Sequence, residues 1–542
     1  MDAVKIDRRW ALSNGSGSVG GWCIRRASVL LGARVRKKGF GVELTPQSIV
    51  ASMERRCAAR ASIPASDAAR NVIISLKMLR ENAVMTGRST AEVRTVSGRV
   101  CVVHYRLSSR THTASTVCRT SARLIYICCL RAIPTHVQAL RMRTLDPLDT
   151  AAAPASITHP CTRARFVAAA AAEHAADVDR DARFPSETFA AARQHRLLSM
   201  LVPVELGGDG ATLADVVDVC YMLGTACGSS AMIFAMHQIQ VVILLRHAAH
   251  SPWHQQLLRR LCDEQLLFAS STTENQTGGA VRASACAVEQ DGERFSLVKN
   301  GTVMSYGAEA DGILLTARRA PDAAPSDQVL VAFVKDDYQL EKIKEWDTMG
   351  MRGTSSTGYT LRGSAGVEQI IPESYERIHP QSMVPIAHLT WSGVWCGIAA
   401  GAVARARRFV RKGAAQGSTG QAAPGASHLT RAMMMLRALR GSIAAAVAGY
   451  ESAGGDAERL EAIDFQAGMN LLKVNSSEQA IETVLHALQA CGLSGYRNDG
   501  EFSVARNLRD VLSSSIMINN ERILAGAASS LLLFDVPSRL RD

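Results

Sequence analysis

"LQACGLSGYRNDGEFSVARNLRD", residues 488–510, breaks an Ala-rich helical tail with a Gly-Leu-Ser-Gly loop and then resumes with charges. Two readings compete. The stretch is either an ordinary helix–helix connection or a loop shaped around something outside its own chain. The rest of the sequence has to separate them.

Upstream of the loop, "HLTRAMMMLRALRGSIAAAVAGY" and "AIETVLHALQAC" carry the apolar spacing of a helical bundle. Further back, from Leu266, the chain changes character. "LLFASSTTE", "FSLVKNGTVMSYG", "GILLTARR", "VLVAFV" and "GYTLRG" are short β-rich runs divided by Gly, Asn and Asp, and "EQDGERF" carries a hairpin signal. Earlier still, "FVAAAAAEHAADVDRDARFP" has high helix propensity and stops at Pro185. "LADVVDVCYMLGTACGSSAMIFAMHQIQVVILLRHA" is apolar nearly all round, as buried helices are. The expected organisation is therefore α+β: a helical domain over 163–265, an antiparallel β domain over 266–385, and a four-helix-type bundle over 386–542. Residues 142–162, with three Pro among Ser and Thr, read as a linker.

The chain has 542 residues, and its net charge of +12 suggests nucleic acid only until it is divided. Residues 1–150 hold 25 basic and 9 acidic side chains (+16), so 151–542 hold 61 − 25 = 36 against 49 − 9 = 40 (−4). A nucleic-acid arm would cluster its Lys and Arg, whereas here Arg is scattered, and no nucleic-acid partner is expected. A transit peptide is also Arg- and Ser-rich, but this stretch is several times too long and carries six of the 13 Cys. We read residues 1–141 as a disordered or spurious extension, with the working protein starting near Met142. The seven later Cys have no metal-ligand spacing, so reduced, mostly buried thiols, no metal and a cytoplasmic setting are expected. Every long apolar run has polar interruptions. The longest, Leu389–Ala404, reads as a buried helix, and no membrane span is expected.

Three further motifs precede the opening stretch. "SSTTENQTGG" (270–279) leaves a strand for a Thr-rich loop able to present hydroxyls and backbone N–H groups to a flavin edge or a phosphate. "NGTVMSYGAEADGILLTAR" (300–318) is a turn and two strands, and "WDTMGMRGTSSTGYTLRG" (346–363) a Gly-Met-Arg-Gly turn into another strand. In this order, across an α–β–α chain, they resemble the acyl-CoA dehydrogenase family of flavoproteins over residues 163–534. That family's Gln-x-x-Gly-Gly-x-Gly-aromatic loop, followed by Glu, Arg and Arg-Asp, is matched by Gln489, Gly492, Gly495, Tyr496, Glu501, Arg506, Arg509 and Asp510.

The resemblance implies FAD between the β domain and the bundle, with Thr272, Thr273, Gly278, Ser305, Gln489, Gly492 and Asn520 as cofactor-binding residues. It implies that the 488–496 loop reaches the cofactor of a neighbouring subunit, hence a homodimer or homotetramer. The implied reaction is α,β-dehydrogenation of an acyl thioester, as in fatty acid metabolism, with an unspecified electron acceptor. A flavin-dependent monooxygenase of the same fold is the alternative, and a non-catalytic flavin-binding protein the second.

The departures bear on chemistry more than on fold. Asn275 replaces the Pro of the first loop, Gly279-Ala280 its Ser-Asp ending, Val303 a Lys, Ser305 a Trp, and Gln416 an Arg. The family's commonest base falls on Ile518, nine residues after Arg509, and its alternative near Val394. Neither accepts a proton. Glu521 is the nearest carboxylate in sequence that could stand in, against its plainer role as a helix-start acid. His237 reads as a satisfied core histidine, and Met433, Met434 and Met435 as helix-interface packing.

Overall fold

The structure is a computed structural model of two units, 1–150 and 151–542. It describes residues 89–96, 100–107, 159–277, 280–416, 423–533 and 535. In the first unit, β1 (Ser89–Val96) and β2 (Val100–Leu107) form an antiparallel hairpin, with Val96 opposite Val100. The rest of the segment read as an extension lies outside the described residues.

The second unit opens with five helices: α1 (Pro160–Asp181), α2 (Ser186–Gln194), α3 (Leu213–Ala226), α4 (Gly228–His247) and α5 (Pro252–Glu264). A capping box between Thr212 and Asp215 starts α3. Extended backbone at Cys227 separates α3 from α4, where the sequence shows one continuous apolar run. His237 on α4 is the core residue expected. Its Nε2 lies 2.8 Å from the Leu198 carbonyl and its Nδ1 accepts the Phe268 N–H at 3.0 Å, which leaves both ring nitrogens occupied.

Seven strands follow. β3 (Phe268–Ser271), β6 (Gly312–Arg318) and β7 (Gln328–Val334) form one sheet; β4 (Glu289–Asp291), β5 (Arg294–Met304), β9 (Thr357–Gly366) and β8 (Tyr338–Lys344) form the other, in that order. All pairings are antiparallel except β3 with β6, which is parallel. Leu314 and Val331 are buried on the first sheet, whose strands read as unbroken apolar runs because both faces are covered. β8, "YQLEKIK", escapes a hydrophobicity reading because it is an edge strand with only Tyr338 buried.

The chain then returns to helix: α6 (Val384–Gln416), α7 (Ala426–Ser452), α8 (Ile463–Cys491), α9 (Ala505–Leu512) and α10 (Asn520–Leu531). α6 packs along α8 on one side and α3 on the other, so Leu389, Trp395, Ile398 and Ala402 are all buried. By length and composition three helical stretches, Gly228–His247, Tyr375–Ala415 and Ala426–Ser452, are apolar enough to cross a membrane, despite the polar interruptions noted in the sequence. The first two are enclosed by the rest of the fold, which accounts for their apolarity; the third is largely exposed. Met433 and Met434 on that third helix are exposed, so within one chain they do not pack as the sequence suggested. The seven Cys of the second unit are free, and all but Cys161 are buried.

Candidate active site

The ends of β3 and β5 and the start of β9 carry the β-domain part of the site. After β3, Thr272 and Thr273 are half-buried, and neither hydroxyl bonds to another described residue. The neighbouring Ser271 Oγ is buried without a partner among the described residues. Ser305, at the end of β5, lies 2.8 Å from Ser356 Oγ, which lies 2.7 Å from Thr354 Oγ1. This row of hydroxyls ends on the Met351 carbonyl, to which Thr354 donates at 2.8 Å. Tyr306 does not take the place of the missing Trp. It is wholly buried, and its OH donates to the Phe268 carbonyl at 2.9 Å. Gly278 lies outside the described residues.

The loop after β3 is anchored by a residue whose role the sequence reading passed over. Glu274 is buried and meets Lys299 Nζ at 2.5 Å, Ser284 Oγ, and the N–H groups of Ala285 (2.9 Å) and Cys286 (3.0 Å). Burial alone would raise its carboxyl, but Lys299 and Ser284 outweigh burial and hold it below the usual carboxylate range. Lys299, also buried, spends another bond on the Thr316 carbonyl at 2.6 Å. The signal for the pair was the Lys in an otherwise alternating apolar strand, "FSLVKN".

The bundle part is organised by Arg509 and Asp510 on α9. Arg509 pairs with Asp179 of α1 and donates from Nε to the Met349 carbonyl at 3.0 Å. Asp510 is buried and accepts the Met351 N–H at 2.7 Å. Burial pushes its carboxyl up to about 6, against the opposing pull of that N–H and of Arg506. Gly350 is required between them, because a Cβ there would run into the Arg509 carbonyl. Arg352 completes the junction, donating to the Asp179 carbonyl at 2.8 Å.

Nine residues past Arg509, Ile518 is 38% exposed and has a left-handed backbone, φ 42°. Its carbonyl is held by Lys473 Nζ of α8 at 3.1 Å, and the same ammonium donates to Asn520 Oδ1 at 2.7 Å and lies 5.7 Å from the Trp395 ring centre. Asn520 is buried and donates to Ser477 Oγ at 2.9 Å, so its amide is consumed within the bundle. Burial pushes the Lys473 ammonium down to about 8. The group next to the family's base position is thus a buried cation. Its sequence signal was a Lys inside the apolar run "NLLKVN". Val394, the alternative base position, is buried. Glu521 is exposed in the first turn of α10, whose N-cap Asn519 accepts the Glu521 N–H at 2.9 Å.

Gln489 and Gly492 stand apart from both groups. Gln489 is exposed, with its Oε1 3.0 Å from His486 Nδ1, and its amide NH2 makes no bond among the described residues. Gly492 ends α8 with φ 55°, and a Cβ there would meet nothing within 4 Å. Leu493 and Tyr496 beside it are exposed. The structure therefore places Thr272 and Thr273 after β3 and Ser305 after β5, ties Ile518 and Asn520 to Lys473, and leaves Gln489 and Gly492 exposed.

Comparison with known proteins adds the lineage. Residues 162–265 match the N-terminal domain of acyl-CoA dehydrogenases and residues 386–524 the C-terminal domain. The chain is 26% identical to the dibenzothiophene monooxygenase of Mycolicibacterium goodii over 40% of its own length and 54% of that protein's, so it spans about half of that relative. It is 25% identical to a probable acyl-CoA dehydrogenase of Mycobacterium leprae over 67% of its own length and 91% of that protein's. Its fold superposes on FMN-bound TdsC from Paenibacillus sp. A11-2 with a TM-score of 0.60 at 16% identity, covering 70% of this chain and 98% of that one. Residues 162–265 and 386–524 thus carry the N- and C-terminal domains of the acyl-CoA dehydrogenase family, and the sheets between them complete its fold.

Proposed function

We propose that this protein is a flavin-dependent monooxygenase built on the acyl-CoA dehydrogenase fold. The observation that carries this reading is the loss of a proton acceptor at both places where the family keeps one. Ile518 and Val394 are aliphatic, and the nearest carboxylate in sequence, Glu521, is an exposed helix-start residue. Removal of an α-proton has no base there, and the adjoining Lys473 ammonium is a proton donor at neutral pH. The free hydroxyls of Thr272 and Thr273, the orphaned Ser271 and the Ser305–Ser356 pair fit the polar edge of a flavin ring. A reduced flavin bound there would supply the two electrons that split oxygen between product and water. Whether the flavin is FAD or FMN turns on the outward loop, where Gln489 has a free amide donor for a dinucleotide bound to a neighbouring subunit.

α,β-Dehydrogenation of an acyl thioester is the second reading, favoured by the near-complete coverage of the mycobacterial relative. Purified protein given NADH-reduced flavin and oxygen should convert a thioether or sulfinate probe to its oxygenated product. Under anaerobic conditions, a panel of acyl-CoAs should leave the bound flavin oxidised. Bleaching by an acyl-CoA, abolished by Glu521→Gln without loss of flavin, would reverse the ranking. The proposed assembly is a homodimer or homotetramer, supported by exposed Leu493, Tyr496, Met433 and Met434. In Gln489→Ala combined with Gly492→Val, flavin content should fall while the helical circular dichroism is kept.

A further inference from the structure

Three side chains of different type converge where α1 and α3 begin, at the end of α1 opposite Asp179. His159 precedes α1, Cys161 lies in its first turn, and Asp215 lies in the first turn of α3. His159 Nε2 is 3.3 Å from Asp215 Oδ1, and Cys161 Sγ is 3.9 Å from the same oxygen. The three donor atoms lie within 4.8 Å of one another.

The N–O and S–O separations approach those of a tetrahedral coordination shell, and the third, between nitrogen and sulfur, is at most 4.8 Å. With Zn–N and Zn–O near 2.1 Å and Zn–S near 2.3 Å, a tetrahedral ion sets its ligands about 3.4 Å apart for N and O and about 3.6 Å apart for S and O. The Sγ–Oδ1 distance is long for a bond between a thiol and a carboxylate, yet within a few tenths of an ångström of the tetrahedral edge. Asp215 is pre-positioned, because its other oxygen, Oδ2, is occupied by the Thr212 N–H at 3.0 Å and the Thr212 hydroxyl at 2.8 Å. That leaves Oδ1 aimed at the cluster. Side-chain exposures of 60% for His159 and 20% for Asp215 leave an open side for a water as fourth ligand.

We propose that His159 Nε2, Cys161 Sγ and Asp215 Oδ1 form a binding site for a divalent zinc-type ion, which clips the start of α1 to the start of α3. One nitrogen, one thiolate and one carboxylate with an open position suit Zn²⁺ better than Ca²⁺ or Mg²⁺, which take oxygen ligands. On binding, the Cys161 thiol releases its proton to solvent as the S–metal bond forms, with no change of oxidation state. The His159 ring proton moves to Nδ1, which gives up the long 3.4 Å bond accepted from the Cys161 N–H.

The test uses the full chain with Co²⁺ as a spectroscopic probe and Zn²⁺ as competitor. Wild type should develop tetrahedral d–d bands and a thiolate-to-cobalt charge-transfer band at one equivalent. Zn²⁺ should bleach both and raise the melting temperature. Cys161→Ser should lose the charge-transfer band, and His159→Gln, which leaves the Thr212–Asp215 cap intact, should weaken binding at least tenfold. The proposal is overturned by octahedral cobalt spectra in wild type, or by an unchanged charge-transfer band in Cys161→Ser, which would assign the metal to another of the 13 Cys.

Discussion

Arg509 and Asp510 are gripped from three elements, with Asp179 on α1, the Met349–Met351 turn before β9, and their own helix closing around them. Ile518, nine residues along the same stretch, is partly exposed, and its side chain contributes nothing to this grip. The buried pair Glu274–Lys299 belongs with the first kind of position. The difference separates framework from chemistry. Residues that join helical domain, sheets and bundle are bonded to partners in other elements, so exchanging one leaves a buried group unpaired. Ile518, at the position that would decide the reaction, is held through its carbonyl by Lys473 while its side chain is partly exposed.

Mutations on the two sides should sort accordingly. The largest effect is expected from Lys299→Met, which strands the Glu274 carboxylate in a buried site and should cost roughly 3–5 kcal/mol in chemical denaturation. A loss of under about 1 kcal/mol would mean that the pair is not part of the framework.

Asp510 comes next, through its pH dependence. Its folded-state pKa, near 6, lies above the ordinary value of 3.8, so the folded protein holds a proton that the unfolded chain has released. The contribution is therefore fully present below pH ~4 and is lost as pH rises through ~6, by at most about 3 kcal/mol. Asp510→Asn keeps an acceptor for the Met351 N–H and should flatten the stability profile between those values. An unchanged slope would assign it to another group.

Lys473→Met removes both the donor to the Ile518 carbonyl and the donor to Asn520, a cost on the order of 1–3 kcal/mol. Its diagnostic is faster amide hydrogen exchange confined to residues 513–522. The smallest effect is expected from Ile518→Glu, within about 0.5 kcal/mol of wild type by thermal melting. A large destabilisation there would place Ile518 in the framework after all.

Much of the framework was legible in the sequence because it is written in periodic apolar runs and glycine turns. The Arg-Asp pair and the Gly-Met-Arg-Gly turn were both visible, though not that each exists to hold the other. The parallel β3–β6 pairing was not visible, since a four-residue strand carries no mark of its partner's direction. The buried cations Lys299 and Lys473 were overlooked for a related reason. A single Lys in an apolar run reads as a snorkelling surface residue until its acceptors, 25 and 47 residues away, are placed beside it. The converging His159, Cys161 and Asp215 had no sequence signature either, because Asp215 is 54 residues from Cys161.

The Lys473–Ile518 bond has a consequence for how such a protein changes over generations. A lysine that fixes a main-chain oxygen is indifferent to the side chain on the same residue. The left-handed turn at 518 is then maintained whether the position carries an acid, an aliphatic group or something else. A lineage can lose a base at 518, or regain one, in a single step without passing through an unfolded intermediate. Under the function proposed above, the side chain at 518 can then change while the carbonyl bond that holds the turn stays in place.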